Sequence, residues 1–249
     1  NNDFSLDLAI TLCEEPIFEK IVDFAIQLKV KTLYVYSKCG QVYESKLMGD
    51  ESNNRQVMVE FKSLINRGRE GHTWIHHMLR EDITFAKWTL FLQSTDMRDD
   101  GIHQPHTPFP RIVLATIIAY EHSEELQEDD TDFIDLSRFW GSNTDISNSV
   151  ICAPRTEQIK SAFLQVKPQR WFYDRFKSDR DKSFEEAARE MTLYGEFLVR
   201  NDLIHNLNRT KFEYIQSILG QKASPVWGHY VEKTWIGLLG ASDSCRCFN

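Results

Sequence analysis

A polar loop, Asn66-Arg67-Gly68-Arg69-Glu70-Gly71-His72, separates a β-type run at Gln56 to Phe61 from a helical stretch that begins near Glu70 and continues to about Arg80. A second β-type run, Trp88 to Leu92, follows and ends in Gln93-Ser94-Thr95-Asp96. Strand, glycine loop, helix and strand in this order make a crossover unit of an α/β sheet. Such a unit sets the loop and the polar strand end at the carboxyl edge, where open α/β sheets bind their ligands. Gly68 is either an ordinary turn glycine or a point of close backbone approach to a ligand, and its place between a strand and a helix start favours the second.

The rest of the chain extends the pattern. Leu6 to Leu12 is an apolar run suited to a buried strand, and Pro16 opens a helical pattern with Ile17, Ile21, Phe24, Ala25 and Leu28 at helical spacing. Thr32 to Tyr36 is β-branched and aromatic, the second strand. Ser37 to Arg55, with two glycines and Asn53-Asn54, reads as loop, so Gln56 to Phe61 is the third strand and Trp88 to Leu92 the fourth. Asp99 to Pro110 holds three prolines and two histidines and is expected to lie over the sheet edge as an irregular loop. Arg111 to His122 is apolar enough for a buried helix or strand, and Glu124 to Asp132 reads as a solvated acidic loop. Asn148 to Ala153 is expected as a strand, and Pro154 to Phe163 and Pro168 to Lys177 as helices. Ser183 with Glu186 has the form of a capping box for a helix reaching about Asn201. Val226 to Leu239 carries His229, Glu232 and Trp235 at helical spacing.

Composition narrows the partners. With 249 residues, 41% hydrophobic and 12% aromatic, the chain can bury a full core as one domain. Its 29 basic and 37 acidic residues leave a net charge of −8, which opposes a phosphate backbone, so no nucleic acid is expected as partner. No run of about 18 apolar residues is present, so no membrane segment is expected, and the first residues do not read as a leader, although a chain trimmed of its leader would look the same. Five cysteines, at 13, 39, 152, 245 and 247, are too sparse for a disulfide scaffold, and Cys13 and Cys152 read as buried small hydrophobes. Asn208-Arg209-Thr210 is a glycosylation sequon and points towards the secretory pathway, such as the Golgi.

The ordered positions Asn66, Gly68, Arg69, Glu70, His72, Thr73, Phe91, Leu92 and Gln93 resemble the core pattern of an uncharacterised eukaryotic and bacterial family related to GT-A-fold glycosyltransferases, in which Asn-x-Gly-Arg-Glu-x-His-Thr precedes a helix and Phe-Leu-Gln. Ala9 to Glu15 and Lys31 to Gly40 look like its first two strands with their loops. Ser149 to Ala153 with Arg155, Ile159 and Trp171-Phe172-Tyr173 is similar to its acceptor-side block, and Gly228 to Gly240 to its closing His-x-x-Glu-x-x-Trp helix. The matches run in order from about residue 6 to 240; 99 to 135 and 178 to 222 match poorly. The resemblance implies an α/β, GT-A-like domain with a mixed, mostly parallel sheet flanked by helices and a helical C-terminal part. Residues 1–100 would form the nucleotide-binding half and 101–249 the acceptor-side half.

The activity it implies is transfer of a sugar from a UDP- or GDP-linked nucleotide sugar to a carbohydrate, glycan or lipid hydroxyl. Donor contacts are then expected from Thr11, Cys13, Glu14, Lys38, Gly68, Arg69, Glu70, His72 and Gln93. A divalent cation, Mn or Mg, is expected at Asp96. Glu232, His229 and Asp99 are the catalytic candidates. The usual Asp-x-Asp is replaced by Gln93-Ser94-Thr95-Asp96, so arginine, lysine or histidine is the other means of neutralising the leaving group. Each candidate has a plainer reading: Asp96 as a loop cap, Arg69 and Glu70 as a surface pair, His229 and Glu232 as a polar pair beside Trp235, and Trp171, Phe172 and Tyr173 as core. His72 and His76 share a helix face, yet no neighbouring Glu or Cys completes a zinc set. The missing second aspartate favours the alternative of a non-catalytic GT-A-like module that binds a glycan or a protein. Neither Gly-x-Ser-x-Gly nor His-Glu-x-x-His is present to support a hydrolase.

Overall fold

β1 (Leu6–Leu12) is buried at every position, as a strand covered on both faces must be. Its alternation sorts two layers. Leu6, Leu8, Ile10 and Leu12 join α1 (Phe18–Gln27) in one core cluster, whereas Ala9 joins a second cluster on the opposite face. β2 (Thr32–Ser37) repeats this division, with Leu33 and Val35 on the α1 face and Tyr34 and Tyr36 on the other. α1 docks through Ile21, Val22 and Phe24, each contributing about 1.5–3 kcal/mol of burial.

The computed structural model describes residues 5–13, 17–50, 55–94, 133–135, 173–176, 196–222 and 226–240. Their further strands are β3 (Lys46–Asp50), β4 (Arg55–Ser63), β5 (Trp88–Gln93), β6 (Phe133–Asp135) and β7 (Phe197–Arg200). The helices after α1 are α2 (Arg69–Met78), α3 (Asn201–His205), α4 (Arg209–Leu219) and α5 (Val226–Leu239), with a short helical stretch at 173–176. The sheet order is β3-β4-β2-β1-β5-β7-β6. Its centre, β4-β2-β1-β5, is parallel, and β3, β7 and β6 each pair antiparallel with a neighbour. α2, α4 and α5 cover the face opposite α1 through Trp74, Ile75, Phe212, Ile215, Val231 and Trp235. The mixed α/β sheet with flanking helices is thus present. None of these helices is long and apolar enough to cross a membrane.

The topology creates a switch point. From β1 the chain passes over one face through α1 to β2, and from β4 it passes over the other face through α2 to β5, on the far side of β1. The strand order thus reverses at β1, with β2 on one side and β5 on the other, and open α/β sheets bind their ligands outside the carboxyl ends of the strands at such a point. Thr11 and Gln93 are register partners there.

Three expectations are corrected. Lys46 to Asp50, read as loop, is an edge strand, because its antiparallel pairing with β4 supplies hydrogen bonds that its own Gly49 does not foreshadow. The helix expected to reach Asn201 does not: Phe197 to Arg200 is β7, an apolar run that satisfies β5's free edge. Cys13 is not a buried hydrophobe but is disulfide-bonded to Cys39, with Cα atoms 4.9 Å apart. α4, for which no expectation was formed, fills the face beside α2. The segments 99–122, 124–132, 148–163 and 183–195 lie outside the described residues.

At the amino edge, Asp7 is fully buried, and its carboxylate accepts a 2.7 Å bond from Ala86 N–H. Burial pushes its pKa up from 3.8 to about 6, against the opposing pull of that bond and of Lys31. A raised folded-state pKa means that folding prefers the protonated acid, so its penalty is absent below the unfolded value of 3.8, grows between the two values and is complete above about 6. The stability of Asp7→Asn minus that of the natural chain should therefore rise by about 2 kcal/mol from pH 4 to pH 7. The buried histidines impose the opposite trend on both proteins and cancel in the difference. Urea titrations at both pH values giving a constant difference would refute this.

Candidate functional site

The first turn of α2 sets the site. After β4 the backbone enters the left-handed region at two consecutive residues, Gly68 (φ 68°) and Arg69 (φ 51°). A side chain at Gly68 would collide with the His72 Cβ and stand 2.9 Å from the Leu219 carbonyl oxygen, so glycine is required by packing against α4. Gly68 N–H donates to the Lys222 carbonyl oxygen at 2.8 Å, which completes that junction.

Lys38, just past the carboxyl end of β2, holds the turn from the other side. Its ammonium donates to the carbonyl oxygens of Arg67 (2.6 Å) and Arg69, the residues that bracket Gly68. The side chain is buried, and desolvation lowers its pKa to about 8, with Glu70 pulling the other way. Lys38 is thus a backbone clamp through two of its three N–H groups. The neighbouring Cys39 is tied to Cys13, which joins the ends of β1 and β2 beneath the clamp.

Arg69 crosses from α2 to α5. Its side chain lies over Gly228, where a Cβ would come within 3.5 Å of Cδ, and Nη1 stands 2.7 Å from His229 Nε2. His229 Nδ1 is 3.5 Å from the Glu232 carboxylate, one helical turn on. Arg69 Nη1 also lies 3.0 Å from His229 Nδ1, so the guanidinium stands against both ring nitrogens. Arg69, Glu70, Gln93 and Glu232 line one cleft with Gly71, Gly228 and the indoles of Trp74 and Trp235. Trp74 is buried, and its indole N–H has no hydrogen-bond partner among the described residues. The first-turn amides of α2 add an electropositive backbone edge. Together these groups can bind an anion through Arg69 and the amides while presenting carboxylates and an amide to hydroxyl groups.

The three histidines of α2 do not cluster on a ligand. His77 is buried, and its Nδ1 is 2.7 Å from the Tyr36 hydroxyl, which Arg80 also contacts at 3.3 Å. Arg80 is held by a two-pronged pair with Asp82 and by Glu60. Burial lowers the pKa of His72 and of His76 to about 4 and that of His77 to about 3, so all three are neutral at pH 7. Tyr36, His77 and Arg80 form a paired polar seam behind the cleft, which spacing alone did not signal.

Of the residues expected at the site, Arg69, Glu70, Gln93, His229 and Glu232 are brought together. Thr11 and Cys13 stand at the end of β1 beside them, and Gly68, Lys38 and His72 form the supporting turn. Glu14, Asp96 and Asp99 lie outside the described residues. Trp74, read only as part of the helix, is an additional lining residue. Among the described residues no three of His, Cys, Asp and Glu converge as cation ligands. A cation at Asp96 would draw on residues beyond those described. Compared with known proteins, the chain matches no protein-family model and no curated sequence.

Proposed function

We propose that the protein is a glycosyltransferase that moves a sugar from a nucleotide-sugar donor to a hydroxyl of a carbohydrate, glycan or lipid. The observation that carries this reading is the meeting of Arg69, Gln93 and the His229–Glu232 pair at the switch point, from segments up to 160 residues apart. The mixed sheet is compatible with a GT-A-like domain, and its switch point is where such a sheet takes a nucleotide. Arg69 and the first-turn amides of α2 neutralise the diphosphate, supplying the stabilisation that a single carboxylate at Asp96 would otherwise share with a cation. Glu232 takes the proton of the acceptor hydroxyl, whose oxygen bonds to the anomeric carbon as the carbon–oxygen bond to the diphosphate breaks and its electron pair leaves on phosphate. His229 orients Arg69 and Glu232 relative to each other.

The alternative, a non-catalytic GT-A-like module binding a glycan or protein, is favoured by the lone aspartate in Gln93-Ser94-Thr95-Asp96. A thermal-shift panel of uridine and guanosine diphosphates and their sugar conjugates, with and without Mn²⁺, separates the two. A ligand of the native state raises the apparent melting temperature, by about 2.7 kcal/mol of stability at a hundredfold excess over Kd. We expect at least one diphosphate compound to raise it; silence from every one at millimolar concentration sinks the donor reading.

A further inference from the structure

We propose that Asn208 is an N-glycosylation site and that this chain matures in an oxidising, glycosylating compartment. The inference does not depend on the glycosyl-transfer reading. It rests on two features that lie apart in the fold.

The first is the sequon. Asn208-Arg209-Thr210 carries little as a sequence alone, but the fold makes it usable. All three residues are exposed at the amino end of α4. Asn208 is the N-cap of that helix, and its cap bond is made through Oδ1, which accepts from Lys211 N–H at 3.1 Å. The atom that would be modified is the other one, Nδ2. In the transfer, Nδ2 bonds to the anomeric carbon of a sugar carried on a lipid diphosphate and gives up one proton. The carbon–oxygen bond to the carrier breaks, and its electron pair leaves on phosphate. Oδ1 is untouched, so the modified asparagine still caps α4.

The second feature is the Cys13–Cys39 disulfide. Its formation passes two electrons and two protons from the thiols to an oxidant, such as a protein disulfide that is reduced to a dithiol. Such bonds persist in oxidising compartments and are rare where glutathione keeps thiols reduced. The lumen of the secretory pathway is a compartment that both forms such bonds and reads sequons.

The position of Asn208 leaves the cleft open. α2 and α4 run antiparallel: Gly68 meets Leu219 at one end, and Arg209 Nη2 donates to the Leu79 carbonyl oxygen at the other, 2.8 Å away. A glycan on Asn208 therefore stands at the carboxyl end of α2, about 15 Å along the helix from the Arg69 turn.

The test is a mass-spectrometric peptide map of the full natural chain, produced with its own start in eukaryotic cells, under non-reducing conditions and with and without peptide-N-glycosidase. We expect the Asn208 peptide to appear unglycosylated only after the glycosidase, as aspartate, and the Cys13 and Cys39 peptides to be linked. Thr210→Ala should abolish the glycosidase-sensitive mass shift and Thr210→Ser should retain it, both with Asn208 and its cap intact. An unmodified Asn208 in the untreated natural chain overturns the site, whatever the variants do. Free thiols at Cys13 and Cys39 overturn the compartment as well.

Discussion

Gly68→Ala should destabilise the protein by about 3 kcal/mol or more, combining the left-handed strain of a residue with a Cβ, about 1–2 kcal/mol, with a collision that packed backbone cannot relieve. The new Cβ would stand 2.9 Å from the Leu219 carbonyl oxygen and closer still to the His72 Cβ. Neither neighbour is the free end of a flexible chain, so the first turn of α2 would have to distort and α4 to move away. Gly40 is the internal control. It too has a positive φ, of 84°, but a Cβ there meets nothing within 4 Å, so Gly40→Ala should cost only the strain, about 1 kcal/mol. Urea unfolding of the two variants, with m unchanged, measures the difference. Equal losses would show that the α2–α4 junction yields, and that the glycine serves backbone conformation alone.

That contrast bears on what could be read from residues alone. The glycine was legible, and so was its place between a strand and a helix, but the reason for it was not. The sequence pattern favoured close approach to a ligand, whereas the atoms that fill the space belong to His72 one turn on and to Leu219, about 150 residues away. Lys38 shows the same limit: the sequence pattern sets it near the donor, and only the fold shows that two of its three N–H groups hold the carbonyl oxygens of the turn.

Elements whose burial is local were the easiest to read. β1, β2 and β5 are apolar runs covered on both faces, and α5 has the bounds expected, Val226 to Leu239. β3 and β7 exist because of their partners: Leu47 pairs with Met58 in the next strand, and Leu198 with Leu90, more than 100 positions earlier, and in neither case does the strand's own periodicity reveal the pairing. The capping box at Ser183 suggested a helix that would run on through Phe197, and the free edge of β5 prevailed over that local preference. For the site, the His229–Glu232 spacing was readable as one helical face, but the Arg69 guanidinium that joins it spans 160 positions of sequence. Spacing finds the members of a site on one element and is silent about which elements meet.

If Glu232 serves the acceptor side, Glu232→Gln should lower kcat by about 10²–10⁴-fold while leaving donor binding nearly unchanged. Glutamine keeps the size and the hydrogen-bonding reach of the side chain but cannot take a proton, so the loss falls on the transition state and not on the ground state. Glu232 pairs with His229, and the Arg69 guanidinium has its own contacts with the His229 ring, which do not require a charge on residue 232. Asp96→Asn is the complementary variant, expected to weaken donor binding and so to appear in KM. Steady-state kinetics on a responsive acceptor, together with the donor-induced thermal shift of each variant, distinguishes these effects. Full turnover by Glu232→Gln with an intact donor shift would move the base elsewhere, with Asp99 and Asp100 in the proline-rich segment next to be replaced. Loss of both turnover and donor shift would instead mark Glu232 as a positioning residue, acting through His229 on Arg69.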